Sequence, residues 1–367
     1  MDIEKDFSRN VWCLLGLPFD AITLEQTAIE ILSAANERKS CFLSTPNMNF
    51  LCAAQTDNAF RASVINSDLS IADGFHIVLV TKLLGIPIPE RVAGSDLIEH
   101  LYRRRTTVPL KVFFFGGEPG VGKLASQKIN QKPAGLLAIG HYAPGFGTVD
   151  EMSAPEIINN INQHDVEFLI VSLGAKKGQA WIELNRRQLN APVISHLGAV
   201  INFYAGTVKR APMLVQRLGF EWLWRIYQEP GLWRRYYNDG KIYLRLLLCV
   251  IVPHWFWLNF IQTKQSDQTM TIKALIEAEN INHISLTGCC TVHTIPPLRE
   301  AFKKAATEKR DVVLDLQNVT LIDSAFLGLC LVLYKHLNAS GNSLKLINPN
   351  KDVKRIMKWQ KVIDLLT

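Results

Sequence analysis

Five short runs of this 367-residue sequence carry side chains able to bind or activate a polar ligand. Ser44-Thr45-Pro46-Asn47 and Ile71-Ala72-Asp73-Gly74 each close an apolar run that reads as a strand. Open α/β sheets bind ligands just beyond the carboxyl ends of their strands. Thr45 and Asn47 there either line a site or form a turn in which Asn47 caps the next helix. Asp73 is either a general base or a cap, with Gly74 relieving the turn. Arg91 follows two prolines in a loop and precedes a helix opened by Ser95. A guanidinium beside a helix N-terminus makes an anion clamp, since both favour phosphate; an exposed salt bridge is the alternative.

Gly116 and Gly117, at the end of KVFFFGG, suit a close approach of backbone to a nucleotide or diphosphate. The spacing Gly117-x4-Gly122-Lys123 imitates a P-loop, but Leu124 stands where Ser or Thr must hold Mg²⁺, which excludes triphosphate hydrolysis on that motif. Ser172–Trp181 sets Lys176, Lys177 and Gln179 at the mouth of a helix. That suits an anionic, hydroxyl-rich ligand, or else is an ordinary basic loop. No Asp-x-Asp, HExxH, GxSxG or GxGxxG occurs. No metal or cofactor is therefore expected, and a departing diphosphate would be stabilised by Arg, Lys and backbone N–H groups.

The elements that must position these residues follow from hydrophobic patterning. Hydrophobic residues make up 48% and charged residues 20%, which excludes a disordered chain and allows two domains. Strands are expected at residues 11–17, 41–45, 69–73, 111–115, 167–173 and 192–197, separated by amphipathic stretches. This is the pattern of an α/β, Rossmann-like domain with a largely parallel sheet. Seven scattered cysteines without zinc spacing read as reduced, buried thiols. MDIEKDFSRN lacks the apolar core of a secretory signal, so the catalytic part is expected in the cytoplasm.

A net charge of +7 calls for an anionic partner. Residues 209–245 hold eight basic side chains against three acidic ones, interleaved with aromatics that include Trp222, Trp224 and Trp233. The adjoining run 242–261 is apolar, and about 20 such residues suffice to span a bilayer. Arg245, Pro253 and His254 weigh against a span. A helix in the membrane interface, with Trp255 and Trp257 at headgroup level, is the preferred reading over a pair of core helices. The same apolar neighbour argues against nucleic acid as the partner. Residues 263–270 read as a linker. Beyond it, 271–367 repeat the α/β pattern at small scale.

In order along the chain, STPNMNFL, SDLSIADGFHIVLVTKLLGIPIPERVAGSDLI, FFFGGEPG, VSLGAKKGQAWI, HLGAVINFYAGTVKRAP and RLGFEWLWRIYQEP resemble the WecG/TagA/CpsF glycosyltransferase family, over roughly residues 11–237. The resemblance implies transfer of a sugar from a UDP-sugar to a polyprenyl-diphosphate-linked acceptor at the inner face of a bacterial membrane, with inversion and without metal. It implies Asp73 as general base, Thr45 and Asn47 beside it, and Arg91 on phosphate charge. It also implies that Arg217, Arg225, Arg234 and Arg235 belong to a tail that closes over the site and touches the membrane. Two positions depart from the family pattern. Gly174-Ala175-Lys176-Lys177-Gly178-Gln179 carries its glutamine one residue late, and Asn202 stands where Asp is frequent.

Leu321-Ile322-Asp323-Ser324-Ala325-Phe326-Leu327-Gly328 resembles STAS domains, the anti-sigma-factor-antagonist fold. By that resemblance Ser324 is a regulatory phosphorylation site, or a plain helix cap, and the domain recruits a protein partner. The expected organisation is a catalytic core at 1–208, a membrane-associating appendage at 209–262, a linker at 263–270 and a STAS domain at 271–367. A catalytically idle, membrane-associated scaffold is the alternative function.

Overall fold

The computed structural model describes residues 2–261, 269–278 and 281–367. It divides into two compact units: residues 22–79 with 88–242, and residues 1–21 with 80–87 and 243–367. These units cut across the expected segments, because the first 21 residues group with the C-terminal module. The linker expected at 263–270 lies, through residue 268, outside the described residues.

Strands β1 (Val11–Leu14) and β2 (Leu17–Asp20) form an antiparallel hairpin separate from the main sheet. The expected single strand over 11–17 is thus corrected. Leu15 (φ 51°) and Gly16 (φ 85°) are both left-handed, which turns the chain in two residues. The larger unit holds β3 (Cys41–Ser44), β4 (Leu69–Ser70), β5 (Leu110–Gly116), β6 (Leu136–Tyr142), β7 (Phe168–Ser172) and β8 (Val193–His196). All pair in parallel in the order β4-β3-β8-β7-β5-β6. Strand β6 escapes the sequence pattern because Gly140 and His141 interrupt its apolar run. Glycine is required there, since a Cβ at 140 would lie 2.5 Å from the Phe113 ring.

Strand residues alternate between two buried layers. Val112 and Phe114 face the helix Val121–Gln131, while Phe113 and Phe115 face the helix Ala175–Asn185. Phe115 stacks on Trp181 with centroids 4.2 Å apart. Burial on both faces makes these strands almost continuously apolar. The chain leaves β5 toward β6 and leaves β7 toward β8, on the opposite side. The loops after β5 and β7 therefore diverge at the carboxyl ends of the strands, the kind of switch point at which open α/β sheets bind ligands.

In the smaller unit, β9 (Met270–Ala278), β10 (Ile281–Cys290), β11 (Asp311–Ile322) and β12 (Leu344–Ile347) lie in the order β12-β11-β10-β9. Only β9 runs antiparallel to its neighbour. The hairpin packs on the helix Ser324–Ala339 so closely that a Cβ at Gly328 would meet the Val11 carbonyl oxygen at 2.2 Å.

Among the described residues one helix, Pro230–Ile261, is long and apolar enough to cross a membrane. Leu246, Val250, Ile251, His254 and Trp257 are buried along one side, and His254 stacks on Trp359 at 5.0 Å. Leu244, Leu248, Val252, Phe256 and Phe260, at four-residue spacing, form an exposed apolar stripe.

Candidate active site

Strand β3 ends at Ser44, and Thr45, Pro46 and Asn47 lead into the helix Met48–Ala54. Asn47 Oδ1 accepts from Phe50 N–H at 3.3 Å, so the capping role is realised, while its side chain remains only half-buried. Beyond the short β4, Asp73 N–H donates to the Pro46 carbonyl at 3.0 Å, and Val92 N–H donates to the Ala72 carbonyl at 2.9 Å. Two backbone bonds thus draw three loops together.

Thr45 is buried beside Gly94, where an added Cβ would meet Leu197 at 2.5 Å and the Thr45 methyl at 3.8 Å. A side chain at 94 would have to push the Leu197 methyl aside. Gly94 N–H donates to the Asp73 carboxylate. Asp73 titrates near 7: burial is the main cause, the carboxylates of Glu221 and Asp96 add to it, and Arg91 opposes it. A carboxylate poised near neutral pH can take a proton from a hydroxyl group.

Arg91 is held on two sides. Its Nη2 lies 2.7 Å from Asp96 Oδ2 and its Nη1 lies 3.3 Å from Glu221 Oε2. Gln216 Oε1 accepts from Arg91 Nη2 at 3.2 Å and from Arg210 Nη2 at 3.3 Å, and Arg210 also pairs with Asp96. The salt bridge foreseen as an alternative for Arg91 is therefore formed, within a partly buried network. Gly219 abuts the Phe75 ring, and Asn49 Nδ2 donates to Asp239 Oδ2 at 2.8 Å. These contacts lay the segment 210–239 over the loops that carry Asp73 and Asn47. Arg225 lies 5.9 Å from the Phe203 ring centroid. The side chain of Arg217 lies outside the described residues.

On the neighbouring strands, Gly116 (φ 97°) is fixed by packing: its Cβ would lie 2.6 Å from the Ser172 carbonyl oxygen. That same oxygen accepts from Gly117 N–H at 2.9 Å. Lys177 Nζ donates to the Gly147 carbonyl at 2.7 Å. Gln179 is fully buried, its Nε2 donating to Ser44 Oγ at 3.0 Å while its Oε1 has no hydrogen-bond partner.

The structure brings Thr45, Asn47, Asp73 and Arg91 into one neighbourhood, with Gly116, Gly117, Lys177 and Gln179 around the ends of β5 and β7. Sequence reasoning missed Asp96, Gln216 and Glu221, which hold Arg91. It also passed over His196, at the end of β8, whose Nε2 is buried without a hydrogen-bond partner. Burial lowers His196 to about 4 and keeps it neutral. Its one sequence signal is a polar residue closing an apolar strand. Among the described residues no group of three or more His, Cys, Asp or Glu side chains could hold a metal ion.

In the smaller unit Asp323, not Ser324, caps the helix Ser324–Ala339, its Oδ1 accepting from Phe326 N–H at 2.9 Å. Ser324 is buried and its Oγ accepts from Gln360 Nε2 at 2.9 Å. The reading of Ser324 as a plain cap is corrected, because the aspartate one residue earlier has the extended backbone that capping requires.

Residues 12–254 match the family described as glycosyl transferase WecG/TagA/CpsF, and residues 276–367 match the Mlab, STAS domain. A Bacillus spizizenii protein named N-acetylglucosaminyldiphosphoundecaprenol N-acetyl-beta-D-mannosaminyltransferase is 28% identical over 206 residues, covering 56% of this chain and 78% of that protein. A Staphylococcus aureus protein of the same name is 25% identical over 237 residues, covering 64% and 90%. The solved anti-sigma factor antagonist SpoIIAA in its unphosphorylated form covers 24% of this chain and 83% of its own, at 17% identity and a TM-score of 0.22. The chain belongs to the WecG/TagA/CpsF glycosyltransferase family and carries a STAS domain over residues 276–367.

Proposed function

We propose that this glycosyltransferase moves a sugar from a UDP-sugar to the terminal sugar of a polyprenyl-diphosphate-linked acceptor, with inversion and without a metal ion, in synthesis of a bacterial exopolysaccharide or cell-surface polymer. The observation that carries the reading is Asp73, a carboxylate titrating near 7 beside Arg91 at the strand ends. Asp73 takes the acceptor hydroxyl's proton as that oxygen bonds to the donor's anomeric carbon. The bond from that carbon to the diphosphate breaks, and UDP leaves with the electron pair. Arg91, Lys177, Arg217 and Arg225 offset the charge gathering on the diphosphate, and Gly116 and Gly117 let backbone approach it. Thr45, Asn47 and Gln179 orient the sugars.

The acceptor class is supported by the names of the two relatives, which specify a diphosphoundecaprenol-linked substrate. The site of action is the cytoplasmic face of the plasma membrane, with the enzyme peripheral. The exposed stripe Leu244–Phe260 and the arginines before it are suited to that surface. The STAS domain is a protein-docking element with Ser324 as its regulatory position.

The test is to incubate purified protein with a panel of UDP-sugars, UDP-N-acetylmannosamine included, and a short-chain lipid-diphosphate-linked N-acetylglucosamine. Release of UDP with an elongated acceptor is expected from one donor. Failure of every donor, with folded protein and acceptor present, would sink the reading.

A further inference from the structure

Residues 2–20 form the helix Ile3–Ser8 followed by the β1–β2 hairpin, and every residue from Val11 to Asp20 is buried. The helix precedes residue 12, where the glycosyltransferase match begins, and its contacts lie within the STAS match at 276–367. Lys303 pairs with Glu4, and Phe7 stacks on His336 at 5.6 Å. Arg299 Nη1 donates to the Arg9 carbonyl at 2.8 Å and to the Phe7 carbonyl. Gly328 leaves the notch into which the Val11 carbonyl fits. At the hairpin turn, Leu15 N–H donates to Gln360 Oε1 at 2.9 Å, and Gln360 in turn holds Ser324.

The centre of this contact is ionic. Asp6 Oδ2 lies 2.8 Å from Lys335 Nζ and 2.9 Å from His336 Nε2, while Asp6 Oδ1 lies 3.0 Å from Arg9 Nη1. Arg9 Nη2 reaches Asp20 Oδ2 at 2.7 Å. Asp6, Asp20, Lys335 and His336 are all under 5% exposed. Burial would raise Asp6, but His336, Lys335 and Arg9 outweigh it and hold the carboxyl well below the usual range. A buried lysine on a STAS helix is costly unless a carboxylate meets it, and buried ion pairs select a partner better than they stabilise one. The seat is thus specified for one charge in one place.

We propose that the STAS domain is a receptor for the chain's own residues 2–20. Its face on the helices Ile295–Glu308 and Ser324–Ala339 binds a carboxylate-bearing helix and hairpin in cis. A separate protein using this face must carry a carboxylate in the place of Asp6 and displace the segment. The inference does not depend on the sugar-transfer reading.

The test uses the full chain with Asp6→Lys, which sets a third cation beside Lys335 and Arg9 and unfastens the segment. A labelled synthetic peptide of residues 2–20 should bind this variant at least tenfold more tightly than the wild-type chain, whose seat is filled. The same peptide carrying Asp6→Lys should bind neither. Hydrogen exchange on the variant should show lost protection over 11–20, with β10–β12 unchanged. Equal peptide binding to both chains, or none to a variant with β10–β12 still protected, would overturn the proposal. So would loss of protection in β10–β12 in step with 11–20, which would make the segment part of one indivisible core.

Discussion

Arg91 Nη1 donates to Glu221 Oε2 at 3.3 Å, across 130 residues of chain. The same two side chains act on Asp73 in opposite directions, Glu221 raising its pKa and Arg91 lowering it. If ionised Asp73 is the base, kcat/KM should rise with pH through about 7. Glu221→Gln removes a raising charge and should move that limb to lower pH; Arg91→Met should move it higher. A pH profile of the three proteins checks this, and limbs that do not move would detach Asp73 from the profile.

Replacing Asp73 by Asn should lower turnover by about 10²–10⁴-fold, the usual worth of a positioned proton acceptor. Folding should not suffer. The folded protein holds the Asp73 proton up to about 7, above the ordinary 3.8, so wild-type stability from this group is full below the ordinary value and falls as pH rises through that window. Asp73→Asn should therefore melt higher than wild type at pH 8 and level with it near pH 4. Thermal melts at both pH values, read alongside turnover, separate a base from a mere cap.

Thr45, Asn47, Asp73 and Arg91 were legible because each sits at a strand end or a helix start, where local sequence fixes position. Glu221 and Gln216 were not, because their role arises only when the segment 210–239 folds back over the loops. Acids in an amphipathic helix carry no local mark of that. Asp96, five residues from Arg91, was passed over. The six-stranded sheet was legible except at its β6 edge, where Gly140 yields to the Phe113 ring and breaks the pattern. The hairpin was misjudged as part of that sheet because an apolar strand looks alike whichever unit buries it. The separate catalytic and STAS segments follow chain order, whereas the seating of residues 2–20 joins distant parts of the chain, as in the contact of Leu15 with Gln360, 345 residues on.

Activity should persist in excess EDTA. The sequence has no Asp-x-Asp, and in the proposed reaction Arg91, Lys177, Arg217 and Arg225 offset the charge on the departing diphosphate. Loss of turnover on chelation, restored by Mg²⁺ or Mn²⁺, would show that a metal ion carries the leaving group's charge.

Membrane binding should have two separable components. The exposed stripe of Leu244, Leu248, Val252, Phe256 and Phe260 supplies apolar area, and fully burying such a side chain is worth about 1.5–3 kcal/mol. Leu248→Asp with Phe256→Asp should cut sedimentation with anionic vesicles more than tenfold at any salt concentration. Arg234→Ala with Arg235→Ala should weaken it at low salt only, by about 1 kcal/mol per residue. A protease site placed after Ile261 should be cut from the cytoplasmic side. Cutting from the far side alone would make Pro230–Ile261 a span.

The packing of the hairpin on the STAS fold decides what removal of that domain should do. Val11, Trp12, Leu14, Leu15, Leu17 and Phe19 are each no more than 6% exposed, in the unit that contains the STAS fold. Deleting 271–367 takes away Gly328, Lys335, His336 and Gln360, which hold Val11, Asp6 and Leu15. It also uncovers His254 and Trp257, which pack on Trp359. The truncated chain should therefore aggregate or melt well below the intact protein, even though no proposed substrate-binding residue is lost. Turnover per folded molecule, measured on a soluble acceptor analogue in detergent, should stay within a fewfold of wild type. A truncated chain as soluble and as heat-stable as the full one would show that the hairpin needs no seat, and a folded one without turnover would place the STAS domain in the chemistry itself.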